Sequence, residues 1–191
     1  MSLWEGEFGN EYTKRNAVLP DRKRFWAKRM RELKPETVLE VGANRGFNTY
    51  WIHKAKPTTE IWATDINRSA LRLLRQEQPE VNTVFADVMN LPFKGYCFDL
   101  VISVGLLIHI PPDKVRYAIA EMARVARRHL LIAEYHNQTW EMIPYHGKKD
   151  VLWKGPYDEV IWQELERRLI NTGFLTQADG FDRVTWWLYE R

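Results

Sequence analysis

The chain has 191 residues and a single cysteine, Cys97, so no internal disulfide can form. That fits a reducing compartment. Apolar runs are short: the longest, around Leu100 to Ile110, cannot span a bilayer. The opening residues Met1-Ser2-Leu3-Trp4-Glu5 lack a basic segment followed by an apolar stretch, so no secretory leader is expected and the cytoplasm is the default location. No internal repeat, low-complexity tract or long linker is visible. Nucleotide phosphate loops end in Gly-Lys-Ser/Thr, and that ending is missing. Cysteine clusters and compactly spaced His, Asp or Glu pairs are missing too, so no metal is expected. A net charge of +3 is too small to imply a nucleic-acid partner by itself.

Basic residues do crowd one early segment, from Lys14 and Arg15 through Arg22, Lys23, Arg24, Lys28 and Arg29 to Arg31 and Lys34. Such a run reads either as a solvated helix face or as a surface that attracts an anionic substrate. Tryptophan, at 9 residues, is frequent.

Residues 1–20 read as an appended segment ending at Pro20. Asp21 then looks like the N-cap of a helix over 21–33, in which Phe25, Trp26, Met30 and Leu33 recur at helical spacing. From there strands alternate with helices. Strands are expected at Thr37–Val41, Glu60–Asp65, Val81–Ala86, Phe98–Val104 and His129–Glu134. Helices are expected at Phe47–Ala55, Ser69–Gln78, Asp113–Arg127 and Tyr157–Asn171, with Gly173 just past the last one. Residues 136–156 form a long irregular stretch. Two strands in 174–190 close the chain as an antiparallel hairpin turning near Asp182. This order means an α/β fold with a mainly parallel sheet of about seven strands, an antiparallel C-terminal strand and helices on both faces.

In such sheets ligands sit at the carboxyl ends of the strands. The first strand runs into Glu40-Val41-Gly42-Ala43-Asn44-Arg45-Gly46, where Gly42 and Gly46 permit a tight turn and close approach to a ligand. The second ends at Asp65, whose carboxylate can accept from both hydroxyls of a ribose. The third is followed by Asp87, whose carboxylate can accept from an adenine amino group.

These residues resemble the class I S-adenosylmethionine-dependent methyltransferases, whose glycine motif reads acidic-x-Gly-x-Gly-x-Gly. Asp65 matches that family's ribose-binding acid and Asp87 its adenine-binding acid. The runs Asp87-Val88-Met89-Asn90-Leu91-Pro92-Phe93, Leu106-Leu107-Ile108-His109-Ile110 and Glu121-Met122-Ala123-Arg124-Val125 are similar to its later segments. The resemblance covers about residues 35–135. It implies a Rossmann-like domain over 35–191, preceded by an N-terminal lid or helical segment over 1–34. It implies cofactor contacts from Glu40, Gly42, Asn44, Gly46, Asp65, Ile66, Asp87, Val88 and Ser103, with Tyr12 closing over the cofactor. Asn44 departs from the pattern where the middle glycine is usual, although Asn tolerates unusual backbone angles. A narrower likeness lies in Trp4-Glu5-Gly6-Glu7-Phe8-Gly9-Asn10-Glu11-Tyr12, which resembles the opening of methyltransferases associated with pseudaminic acid biosynthesis. It implies an amino sugar, a nucleotide-linked sugar or a related small metabolite as acceptor.

A hydroxyl or ammonium acceptor must lose a proton, so a general base is useful. His109 after the fourth strand and His136 after the fifth are candidates, with Glu134 and Tyr135 at the same edge. Tyr135 could shape the pocket. Tyr145, His146, Lys148 and Lys154 could contact an anionic acceptor, the alternative being a solvated loop. Two rival readings stand beside this one. Against nucleic-acid methylation, the fourth strand ends Ser103-Val104-Gly105-Leu106, not in the Asn-Pro-Pro-aromatic run of enzymes acting on base amino groups. The other rival is a non-catalytic binding protein that uses the fold as a scaffold.

Overall fold

The computed structural model describes residues 3–191; Met1 and Ser2, where the reading of the N-terminus begins, lie outside the described residues. In chain order the elements are α1 (Glu7–Arg15), α2 (Lys23–Leu33), β1 (Thr37–Val41), α3 (Phe47–Ala55), β2 (Glu60–Asp65), α4 (Arg68–Glu77), β3 (Asn82–Phe85) and β4 (Phe98–Val104). There follow α5 (Pro112–Val125), β5 (Ala126–Glu134), β6 (Glu141–Met142), β7 (Trp153–Lys154), α6 (Tyr157–Glu164), β8 (Arg168–Leu175) and β9 (Val184–Glu190). The main sheet has seven strands in the order β3-β2-β1-β4-β5-β9-β8. β1 to β5 pair in parallel, and β9 runs antiparallel to both β5 and β8.

Strand alternation places helices on both faces. Leu39 and Val101 face one way, into a core with Val115, Ile119 and Met122 of α5 and Tyr157 and Ile161 of α6. Their neighbours Val38, Leu100 and Ile102 face the other way, onto Trp26 and Met30 of α2, Ile52 of α3 and Leu74 of α4. Residues on α5 at three- and four-residue spacing are therefore fully buried, as an amphipathic helix requires. Asn67 caps α4 by accepting from the Ala70 N–H at 2.8 Å.

Three readings are corrected. The helix expected over Tyr157–Asn171 ends at Glu164, and β8 begins at Arg168. Leu169, within the expected helix, pairs instead with Tyr189 across the sheet. β8 is an edge strand exposed along most of its length, so it lacks the alternation that would have revealed it. Gly173 is no helix stop: a Cβ there would lie 2.8 Å from the Trp186 Nε1, so its bareness makes room for the indole. Second, α2 starts two residues later than expected, with Arg22 at the cap. Asp21 accepts from the Lys23 N–H at 3.0 Å but does not itself cap the helix. Third, the irregular stretch 136–156 contains a small ribbon in which Glu141 pairs with Lys154 and Met142 with Trp153. The N-terminal segment also holds a helix, α1, that the sequence reading did not identify.

Candidate cofactor and acceptor site

A cavity of about 720 Å³ opens over the carboxyl ends of the central strands. Its floor is the turn after β1. The Gly42 and Ala43 N–H groups both donate to the Thr64 carbonyl at 2.9 Å, which bends the chain across the end of β2. Gly42 has φ 74°, and a Cβ there would come within 2.8 Å of Leu106. Gly46 has φ 72°, and a Cβ there would meet the Thr49 hydroxyl at 2.4 Å. Both positions need glycine for two reasons, backbone conformation and space.

Asn44 also takes a left-handed conformation, with φ 49°. Its N–H donates to Asp65 Oδ2 at 2.7 Å, and its side-chain oxygen accepts from the Thr13 hydroxyl of α1 at 2.9 Å. The departure from glycine thus provides a polar link between the turn and the N-terminal helix, which a glycine would lack.

Asp65 is fixed on its second oxygen by the Asn67 N–H at 2.8 Å. Burial raises its pKa, opposed by the backbone N–H groups of Asn67, Asn44 and Ile66. Asp87 stands on the exposed rim and accepts from the Met89 N–H at 2.9 Å, beside the buried Val88. Glu40 is buried below the turn. It accepts from Asn48 Nδ2 at 2.6 Å and from the Thr49 N–H at 3.2 Å, and burial pushes its pKa up to about 7.

The walls are aromatic. Trp4 packs on His109 with ring centroids 4.0 Å apart, and Tyr12 stands edge-on to the same ring at 6.2 Å. The Trp4 carbonyl accepts from Asn67 Nδ2 at 2.9 Å, which ties the N-terminal segment to the end of β2. Burial raises the Tyr12 pKa to about 12. His109 closes a 3-10 turn, Leu107–His109, and its Nδ1 lies 2.8 Å from the Val151 carbonyl. A carbonyl only accepts, so Nδ1 carries the hydrogen and Nε2 keeps its lone pair. Burial pushes the His109 pKa down to about 4, so the ring is neutral at pH 7.

Of the residues expected at the site, Tyr12, Glu40, Gly42, Asn44, Asp65, Ile66, Asp87, Val88 and His109 line the cavity. Gly46 shapes the turn from outside the lining. Ser103 is fully buried on β4, and its hydroxyl has no hydrogen-bond partner among the described residues. His136 lies outside the lining, with Nε2 3.0 Å from Asp158 Oδ1 and its ring against Trp187. Tyr135 also stands outside; its hydroxyl donates to Asp182, which does line the cavity. Tyr145 sits behind His109 at 6.2 Å between centroids. His146 and Lys148 are exposed, and Lys154 belongs to the β6–β7 ribbon. The sequence reading missed Trp4, Thr13, Arg22, Asn48 and Asp182 as lining residues. Arg22 had been visible only as one member of the basic run, and Asp182 only as a turn.

Glu134 at the end of β5 holds the segment that carries His109. Its carboxylate accepts from the Leu106, Leu107 and Ile108 N–H groups at 3.1, 2.8 and 3.4 Å. Burial outweighs these bonds and pushes its pKa from 4.5 up to about 8. A raised carboxyl pKa contributes stability that is complete below 4.5 and is lost as pH rises through about 8. Glu134→Gln mimics the protonated form. Melting curves should therefore show the parent losing stability relative to the variant across that window. A pH-independent difference between the two would overturn this.

Among the described residues, no group of three or more His, Cys, Asp or Glu could hold a metal ion, and no helix is long and apolar enough to cross a membrane.

Residues 38–129 match the family model of a methyltransferase domain. A ubiquinone/menaquinone biosynthesis C-methyltransferase of Burkholderia mallei is 36% identical over 112 residues, covering 54% of this chain and 44% of the relative. The chain thus spans less than half the length of the curated relatives it matches. The 1,6-didemethyltoxoflavin-N1-methyltransferase of Burkholderia thailandensis, with bound S-adenosylhomocysteine, superposes with TM-score 0.71 at 16% identity, over 96% of this chain and 82% of that one. The magnesium protoporphyrin IX methyltransferase of Synechocystis, with bound S-adenosylmethionine, gives TM-score 0.67 at 16% identity, over 87% and 75% of the two chains. The chain shares the Rossmann-like fold of these solved structures.

Proposed function

We propose that the protein is an S-adenosylmethionine-dependent methyltransferase that passes a methyl group to N or O of a small polar metabolite and releases S-adenosylhomocysteine. One observation carries this: a single cavity is lined by the Gly42–Asn44 turn and by carboxylates at the ends of successive strands, Asp65 and Asp87. The donors and acceptors fit the cofactor. Asp65 accepts from the ribose hydroxyls and Asp87 from the adenine amino group. The positive-φ turn lets the backbone approach closely, and Ile66 and Val88 supply the apolar surfaces around the base.

When bound, the cofactor supplies a methyl group on a sulfonium. Positioning can provide much of the acceleration for such an in-line displacement. His109 then serves on the acceptor side: neutral, oriented by Val151 and with Nε2 available, it accepts a proton or a hydrogen bond from the acceptor. Tyr135 acts through Asp182 and does not touch the acceptor. His136, paired with Asp158, is the weaker candidate base. The N-terminal segment through α1 works as a lid, latched by the Thr13–Asn44 and Asn67–Trp4 bonds, whereas α2, which the expected lid of 1–34 included, belongs to the core of the domain. An amino sugar or nucleotide-linked sugar is the acceptor class the opening motif favours. Tyr145, His146, Lys148 and Lys154 contribute to its binding only if their loop closes inward. The cytoplasm is the compartment that fits these substrates and the lone thiol.

Calorimetry should show saturable binding of S-adenosylmethionine and of S-adenosylhomocysteine. Mass-resolved transfer assays against amino sugars, nucleotide sugars and RNA then separate the acceptor classes. Failure of both cofactor forms to bind would end the methyltransferase reading. Binding without transfer to any acceptor would favour the scaffold reading.

A further inference from the structure

The connection between α1 and α2 carries an apolar tip that nothing covers. Ala17, Val18 and Leu19 are all exposed, and Val18, at 84%, is the most exposed large apolar side chain among the described residues. The tip is anchored at both ends. On one side Asn16 Nδ2 donates to the Tyr12 carbonyl at 2.8 Å, which closes the end of α1. On the other the Pro20 carbonyl accepts from Trp51 Nε1 at 2.7 Å, which fixes the chain to α3. Pro20 also restricts the backbone of the residue before it, Leu19. The three apolar residues between these anchors are therefore held out from the surface.

Cations flank the tip. Lys14 and Arg15 end α1, Lys23 and Arg24 begin α2, and all four are exposed. Between Lys14 and Arg24 the one acid is Asp21, so this stretch more than accounts for the chain's net charge of +3. Lys14 pairs with Glu11 at 2.7 Å. Arg15, Lys23 and Arg24 form no ion pair among the described residues. Asp179 lies beside Arg24, but its carboxylate accepts from the N–H and the hydroxyl of Thr176.

An apolar tip flanked by cations complements an anionic bilayer: the side chains enter the acyl boundary and the cations meet the headgroups. A protein partner fits worse, because three residues fall far short of the roughly 800 Å² per partner that a stable complex buries. We infer that the tip at 17–19 is a docking element for an anionic lipid surface. Val18 supplies the deepest insertion, and Arg15, Lys23 and Arg24 supply the attraction. Asn16, Val18 and Pro20 also line the cavity, so docking sets that part of its wall against the bilayer. The inference goes beyond the methyltransferase reading and holds whichever ligand the cavity takes.

Flotation and calorimetric titration of the full chain test this, with vesicles of equal parts phosphatidylglycerol and phosphatidylcholine and with vesicles of phosphatidylcholine alone. The parent should bind the mixed vesicles about 10-fold or more tightly than the neutral ones, and added salt should weaken that binding. Val18→Ser combined with Leu19→Ser should weaken it by about 10-fold. Arg15→Gln combined with Lys23→Gln and Arg24→Gln should weaken it by about 100-fold. The same exchange at Lys34, Lys94 and Arg128, exposed cations beside the starts of β1, β4 and β5, should leave it nearly unchanged. All these side chains are exposed, so each variant should keep the parent's melting temperature, which shows that it is folded. A parent that does not bind the mixed vesicles overturns the inference. So does binding that survives the loss of Val18 and Leu19, which is adsorption by charge alone, and so does an equal loss from the two sets of cation exchanges.

Discussion

Asp65→Ala is expected to cut affinity for S-adenosylhomocysteine by about 100-fold or more, because two hydrogen bonds to a charged acceptor are lost together. Asp65 is suited to carry that much. It sits where β2 meets the glycine turn, and both of its oxygens are aimed by backbone N–H groups, those of Asn44 and Asn67 at 2.7 and 2.8 Å. Alanine removes the ribose acceptor and also frees those N–H groups. A fall in melting temperature of a few degrees should accompany the loss of binding, since each kcal/mol shifts a domain of this size by roughly 2–4 °C. The fold should survive, because the β2 core residues Ile61 and Ala63 are untouched. Asp65→Asn keeps one acceptor oxygen and should lose less. Titration and melting of both variants decide the matter: unchanged affinity in Asp65→Ala would mean that the nucleoside does not lie over β2.

The largest stability effect is expected for Trp26→Ala, about 3–5 kcal/mol. Trp26 is fully buried between α2 and the sheet, and its Nε1 donates to Asn48 Oδ1 at 3.1 Å. Removing the indole leaves a cavity against Val38, Ile52 and Leu100 and takes one donor from the amide that also links Arg22 to Glu40. The melting temperature should fall on the order of 10 °C. Phe174→Ala makes the control. That ring is 54% exposed on the edge strand β8, and its loss should change stability by no more than about 0.5 kcal/mol. Chemical denaturation of both variants provides the comparison. A loss at Trp26 as small as that at Phe174 would show that α2 is not part of the cooperative core.

Much of the site was legible because its residues are local to strand ends. β1, α3, β2 and β4 fall at the boundaries expected from apolar runs, proline and glycine. A strand end is both a sequence signal and a place in space, so Gly42, Asp65 and Asp87 could be placed together without coordinates. The acceptor side was less legible. His109 and His136 have equal standing as residues that follow strands. Only packing shows that one lines the cavity with Nδ1 on Val151, while the other turns to Asp158. Arg22 was hidden in a basic run whose other members are mostly solvated.

The sequence by itself determined the alternating α/β order, the parallel sheet and the places of Asp65 and Asp87 beside strand ends, because hydrophobic period and turn chemistry are properties of short segments. Tertiary structure decided the rest. The edge strand β8 exists through its backbone pairing with β9 rather than through any pattern of its own. Helix α1 takes its position from Thr13 meeting Asn44 across 31 residues of chain. Arg22 meets Gly180 across 158 residues, a contact that no local signal encodes. Long-range contacts of this kind depend on how whole elements pack, and the short segments that announce a strand or a turn carry no record of them.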